Sequence, residues 1–412
     1  MKLKYLLFSL SIIGLSACAN NKREKIIIYN NTPGLHSNYP KDPENLSEAM
    51  KRNLSYQSEY PMENELYSHF KYTPLRGLEY NNDDGTLTRR DPSKVLFENG
   101  KYYVWYTHRE TESPIVGGEL FTDTKPAVDW DLSEIWYATS KDGFTWKEQG
   151  VAIPRAPKGQ LGHRSVCTAD ILKFKGKYYL YYQAYTSRTK GMKDVCPVTM
   201  SYSDSPDGPW TPCNKIVVSK GAKGEWDEHL IHDPYPLVHN GKIYLYYKSG
   251  YNYRDAGGLA ISKNPAGPFI KCKYNPVLNS GHEVSLFPYK EGVAAIVARV
   301  GNEHNTIQYA KDWVNFKIAS FDNLMPIAPG PFIKDAFTDS HDGQGISWGI
   351  CHFTGMGEKG KAHSILYRFD CDLSREFNDS QFKGQEFYFP KELYFSQHLS
   401  KAQLKRILKR NN

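Results

Sequence analysis

Cysteine is sparse in this chain, with seven in 412 residues, and no two form a Cys-x-x-Cys pair, so nothing supports a zinc ribbon. Long apolar runs are lacking too. Past the first seventeen residues no stretch approaches the roughly 18 consecutive apolar residues that a membrane-spanning helix needs. No RNA- or DNA-binding motif is present. The formal net charge of +7 is mild for the length, and Lys2 and Lys4 contribute two of those charges. The basic cluster of note is the tail holding Lys401, Lys405, Arg406, Lys409 and Arg410, which reads as a short amphipathic helix with a solvated face. No nucleic-acid partner is therefore expected.

The first residues read as an address. Lys2 and Lys4 precede an apolar run from Tyr5 to Leu15, followed by small residues, the pattern of a secretory signal peptide. It ends in Leu15-Ser16-Ala17-Cys18, which resembles the bacterial lipobox, so Cys18 is the expected lipidated residue. Lipidation anchors a chain to a membrane without spanning it. The expectation is an exported lipoprotein, periplasmic or anchored at the outer membrane or cell surface. The six remaining cysteines could form disulfides after export, with the pairing left open.

What the chain has in quantity is aromatic residues, 14% of the whole with 30 Tyr, together with 32 Gly and 24 Pro. That composition favours strands and turns. A repeated phrase organises them: Lys94–Tyr106, Ile171–Tyr182 and Pro236–Tyr247 each read as an apolar strand, a turn at Asn99-Gly100, Lys175-Gly176 or Asn240-Gly241, and an aromatic strand. Each is a hairpin signal, because Asn and Gly accept the positive φ of a tight turn. A second recurring unit follows each copy, as in Ile135–Trp146, Thr199–Trp210 and Leu259–Phe269, with a weaker copy at Ile307–Phe316. Two hairpins per repeat make a four-stranded blade. Blade openings near 91, 170, 233 and 284, and a fifth near Gly345, predict an all-β, five-bladed β-propeller. Ser47 ahead of Glu48–Arg52 reads as a helix N-cap, giving a short helical N-terminal extension. The expected organisation is signal peptide and lipobox at 1–18, polar tether at 19–39, helical element at 40–75, propeller at 76–395 and basic tail at 396–412.

Innermost strands of a propeller line its channel, so polar residues opening them face a cleft. Asp91, Asp170, Asp233 and Glu283 stand at these openings, with Thr168 and His282 beside them. Rotational repetition would bring such carboxylates together, as glycoside hydrolysis needs. Neighbours on a regular strand point to opposite faces, so His282 and Glu283 can share one cleft only where the strand is bulged or has ended. The residues alone nominate Glu283 as the acid. Arg109 and Gln183, just beyond the first two hairpins, are placed to line the cleft with Thr168 and Asp170 as sugar contacts.

The Asp91-Pro92, His232-Asp233-Pro234 and Gly281-His282-Glu283-Val284 openings, and the segment Ser47–Arg52, together resemble glycoside hydrolase family 117 from about Leu46 to the fifth blade. The resemblance implies an exo-acting, inverting five-bladed propeller that removes 3,6-anhydro-L-galactose from the non-reducing end of agar-derived oligosaccharides, cleaving an α-1,3 bond. It implies Asp91 as general base, His282 as general acid, Asp233 as the group that orients or tunes it, and Glu283 assisting. It implies a homodimer that exchanges the Ser47–Arg52 element. Some members hold a divalent cation near the site through water, so such an ion is an expectation without named ligands, and no cofactor is required. Short spacings between the second and fourth blades leave the exact red-algal galactan oligosaccharide open. The rival readings are an arabinosidase- or xylosidase-like propeller with Glu283 as acid, and a non-catalytic, lipid-anchored glycan-binding propeller.

Overall fold

The computed structural model describes residues 45–55, 66–78, 83–186, 196–251, 254–301, 303–357 and 360–376. The leader with Cys18, the tether and the basic tail lie outside them. Nearly every described element is a strand, and the strands form the five blades of a propeller. Blade one runs from Leu87–Arg90 to Trp146–Ile153, blade two from Ser165–Phe174 to Thr211–Pro212, and blade three from His232–His239 to Ile270–Lys271. Blade four runs from Ser285–Lys290 to Lys317–Phe321. Blade five is built from Ile327–Pro331, Gly343–Met356 and His363–Ser374. A short pairing of Tyr289 with Gln344 and Lys290 with Gly343 joins its sheet to that of blade four.

The hairpins form where the sequence placed them. Asn99, Lys175 and Asn240 take φ near +50° and each following glycine is also left-handed, as a two-residue hairpin turn requires. The aromatic second strands then pack by simple alternation. Tyr103 and Trp105 enter the core shared with blade two, while Val104 and Tyr106 enter the core shared with blade five. Tyr181 does the same toward blade three while Tyr182 faces blade one. A strand that buries both faces gives its period-two pattern two apolar sets. Each such side chain, withdrawn from water, contributes about 1.5–3 kcal/mol.

Two features close the molecule. The strand Phe70–Pro74 pairs antiparallel with His363–Ser374, from Phe70 opposite Cys371 to Pro74 opposite Tyr367, and so supplies the outer strand of blade five. The propeller therefore begins before residue 76, and the expected helical element at 40–75 is a helix, Glu48–Ser55, followed by a propeller strand. In the loop between Pro331 and Gly343, Phe337 packs against three of the inter-blade cores and so links them.

The helix sits on this chain's own fourth blade. Ser47 Oγ caps the Met50 N–H at 3.2 Å and donates to the Pro276 carbonyl at 2.5 Å. Arg52 donates to both Glu303 carboxylate oxygens, at 2.8 and 3.0 Å, and to the Phe316 carbonyl. Asn279 Nδ2 donates to the Ala49 carbonyl.

Candidate active site

Each blade interrupts its innermost strand at one residue with a left-handed backbone: Asp91 (φ 48°), Thr168 (50°), Asp233 (47°), Glu283 (56°) and Ala328 (47°). Register shifts occur at the same places in blades two, three and five. Such a bulge re-aims a side chain, at a cost of about 1–3 kcal/mol for a non-glycine residue. The cost is met by a repeated hydrogen bond. The second strand of one blade carries an acceptor opposite its own bulge, and this takes the N–H of the next blade's bulge residue. Thr107 Oγ1 accepts from Thr168 at 2.8 Å, Gln183 Oε1 from Asp233 at 2.9 Å, and His352 Nδ1 from Asp91 at 2.9 Å.

The bulges bring Asp91, Asp233, His282 and Glu283 into one cluster. Regular pairing in blade four begins only at Ser285, so His282 and Glu283 are freed from strand alternation. Gly281 allows the approach, since a Cβ there would stand 2.3 Å from the Ala256 carbonyl oxygen. His282 lies with Nδ1 3.5 Å from Asp233 Oδ2 and Nε2 3.7 Å from Glu283 Oε1. Its side chain is 25% exposed, against 4–14% for the three carboxylates.

Arg90 ties the acids together. It donates to Asp91 Oδ2 at 2.9 Å, Glu283 Oε1 at 3.4 Å and Asp129 Oδ2 at 3.3 Å, and its guanidinium lies over Trp130. Burial alone would raise the Asp91 carboxyl, but Arg90 and His352 overcome it and hold Asp91 far below the usual carboxylate range. Burial also opposes ionisation of Glu283, and His282, His352 and Arg299 beside it outweigh that, so its carboxyl is lowered as well. Asp233 is held at about 2: burial pushes it up, and Lys248 and His282 pull it down further. His232 is pushed down to about 4 by burial and then by Lys248.

Other expectations move. Asp170 is two residues past its blade's bulge, and Thr168 holds the position equivalent to Asp91. Asp170 is buried against Lys94, accepting from its backbone N–H at 2.9 Å and from its ammonium, so it staples blades one and two and is no sugar contact. Arg109 also leaves the cleft. It is fully buried, donating to the Gly85, Thr86 and Asp129 carbonyls and to the Asp129 carboxylate, which in turn meets Arg90. The equivalent of Gln183 in blade one is Thr107, two residues earlier. Gln183 itself is buried and committed to Asp233 and Cys196. Thr168 is half-buried, with Oγ1 3.3 Å from Asp91 Oδ2.

Sequence reasoning missed Arg90, Lys248, His352 and Arg299. Thr107, Gln183 and Lys248 all directly follow the repeated aromatic phrase, a signal that was available. His352 follows no such phrase. Asp91, Glu283 and His352 could each offer one ligand atom to a metal ion, all within 4.8 Å of one another. Asp91 Oδ1 and His352 Nε2 are buried without a hydrogen-bond partner, which suits such a role. Arg90, however, already supplies positive charge to both carboxylates. Together these groups can activate a water at Asp91 and deliver a proton from His282.

Comparisons with known proteins agree with the propeller fold. The model of glycosyl hydrolases family 43 matches residues 89–255, a span that takes in Asp91 and Asp233 and ends ahead of His282. Among solved structures, a family 117 glycoside hydrolase, Zg3597, from the marine bacterium Zobellia galactanivorans is 54% identical. The match covers 82% of this chain and all of that one, with a TM-score of 0.77. The catalytic domain of a GH62 α-L-arabinofuranosidase from Coprinopsis cinerea shares the fold at 12% identity and a TM-score of 0.50, over 74% of this chain and 98% of that one. Among curated proteins none matches.

Proposed function

The chain belongs to glycoside hydrolase family 117, and from that premise we propose that it is an exo-acting, inverting hydrolase of agar-derived oligosaccharides. In this reading it releases 3,6-anhydro-L-galactose, or a related residue, by cleaving an α-1,3 bond at the non-reducing end. Asp91, held ionised by Arg90, takes a proton from the attacking water. His282 protonates the leaving oxygen, and Asp233 orients it.

The observation that supports His282 as the donor is the state of Glu283. Its carboxyl is buried, faces Arg90 at 3.4 Å and Arg299 at 3.3 Å, and is kept ionised, so it has no proton to give. Glu283 also lies within 4.8 Å of Asp91, oxygen to oxygen, closer than the roughly 6.5–9.5 Å that leaves room for water between an inverting pair. Both points weigh against the arabinosidase-like assignment.

The same reading includes lipidation at Cys18, with attachment to a membrane surface, and a homodimer in which the Ser47–Arg52 element would make on the partner the contacts that it makes here within its own chain. The test is a panel of neoagaro-, carrageenan-, porphyran- and arabino-oligosaccharides with identification of the released sugar. Release of anhydrogalactose from the neoagaro series alone is the expected result. Release of arabinose would overturn the reading, and saturable binding without any release would leave a glycan-binding protein.

A further inference from the structure

Lys248 breaks the hydrogen-bond pattern of the bulges, and the break lies against His282. It occupies the place held by Thr107, Gln183 and His352 in other blades, opposite the residue that precedes the bulge. Those residues accept the next blade's N–H. A lysine cannot accept, and the Glu283 N–H turns instead to Asp233 Oδ2 at 3.3 Å. The Lys248 Nζ is directed to His282 Nδ1 at 2.8 Å, with Asp255 Oδ2 at 3.5 Å and Asp233 Oδ2 at 4.0 Å balancing its charge.

An ammonium only donates, so His282 Nδ1 is an acceptor and the ring carries its single proton on Nε2. Loss of that proton alone would leave an imidazolate, so its transfer requires another proton to arrive at Nδ1. We propose that Lys248 supplies that proton and that His282 acts as a relay. The glycosidic C–O bond breaks, its electron pair goes to oxygen, and the oxygen takes the Nε2 proton. An Nζ proton moves to Nδ1 in the same event. Lysine ends as an amine, histidine as the Nδ1–H tautomer, and the leaving group as an alcohol. Water attacks carbon from the Asp91 side and gives its proton to Asp91. Solvent reprotonates Lys248 before the next turnover. This rests on His282 being the proton donor. Lys248 acts through it and serves as a positioning residue.

The test combines nitrogen NMR of the full chain, labelled with 15N-histidine, with kinetics on the cleaved oligosaccharide. Wild-type His282, assigned by its loss in His282→Gln, is expected to show a protonated Nε2 and an unprotonated Nδ1. In Lys248→Met, Nδ1 is expected to become protonated toward Asp233. The solvent-isotope proton inventory on kcat is expected to be bowed in the wild type and linear in Lys248→Met, with kcat about a hundredfold lower and KM nearly unchanged. Lys248→Gln is expected to lose kcat equally while keeping thermal stability, since glutamine can accept the Glu283 N–H as Gln183 does for Asp233. A wild-type His282 protonated at Nδ1, or a Lys248→Gln enzyme with wild-type kcat, would overturn the proposal. Failure to cleave any oligosaccharide would instead sink the hydrolase reading, with the nitrogen shifts still deciding the contact.

Discussion

Asp91 is buried, bonded through Oδ2 to Arg90 and bounded by Thr107 and Thr168, so its carboxylate is held ionised and in place. Asp91→Asn keeps that shape and removes the base, and kcat should fall by about 10²–10⁴ with folding intact. His282→Gln should lose turnover to a similar degree, measured beside a circular-dichroism melt that shows the fold retained. An unaffected rate in His282→Gln would return the acid role to Glu283. Asp233 carries a stability prediction. Its folded pKa, about 2, lies below the ordinary 3.8, so its contribution is present above about pH 4 and is lost as the pH falls toward 2. That contribution is about 2 kcal/mol. Urea melts of the wild type and Asp233→Asn should therefore differ near neutral pH and converge toward pH 2.

The strand elements were the most legible part of the sequence, because hairpin turns and period-two aromatics announce themselves locally. The Asn99-Gly100, Lys175-Gly176 and Asn240-Gly241 turns formed as expected. The site was legible where a blade opening carried an acid, hence Asp91, Asp233 and Glu283. It was misread in blade two, because a bulge adds a residue that strand counting cannot see, and Asp170 was taken for the equivalent of Asp91 when Thr168 is. Arg109 lies two residues beyond Thr107 on the uninterrupted strand Lys101–Glu110, a position that the repeated phrase alone does not separate from it. The strand Phe70–Pro74 was hidden because its partner lies some 300 residues away. Asp170→Asn tests the corrected role: with Lys94 left buried and unpaired, stability should drop by about 3–5 kcal/mol in urea denaturation. A change below about 1 kcal/mol would return Asp170 to the cleft as a contact residue.

The propeller is closed by its first strand, so a local defect there should be felt by the whole ring. Tyr72 pairs with Phe369 and packs its ring edge-on against Phe353. Tyr72→Pro breaks that ladder and should cost at least about 3 kcal/mol in a denaturant melt that still shows one transition. A separate early transition would mean that blade five unfolds alone. The account as a whole turns on a single displacement, with water delivered at Asp91 and a proton at His282. The most direct measurement is proton NMR of the cleavage reaction in its first minutes. The account predicts that the released sugar first appears with an anomeric configuration opposite to that of the bond cleaved. Retention of configuration would contradict it.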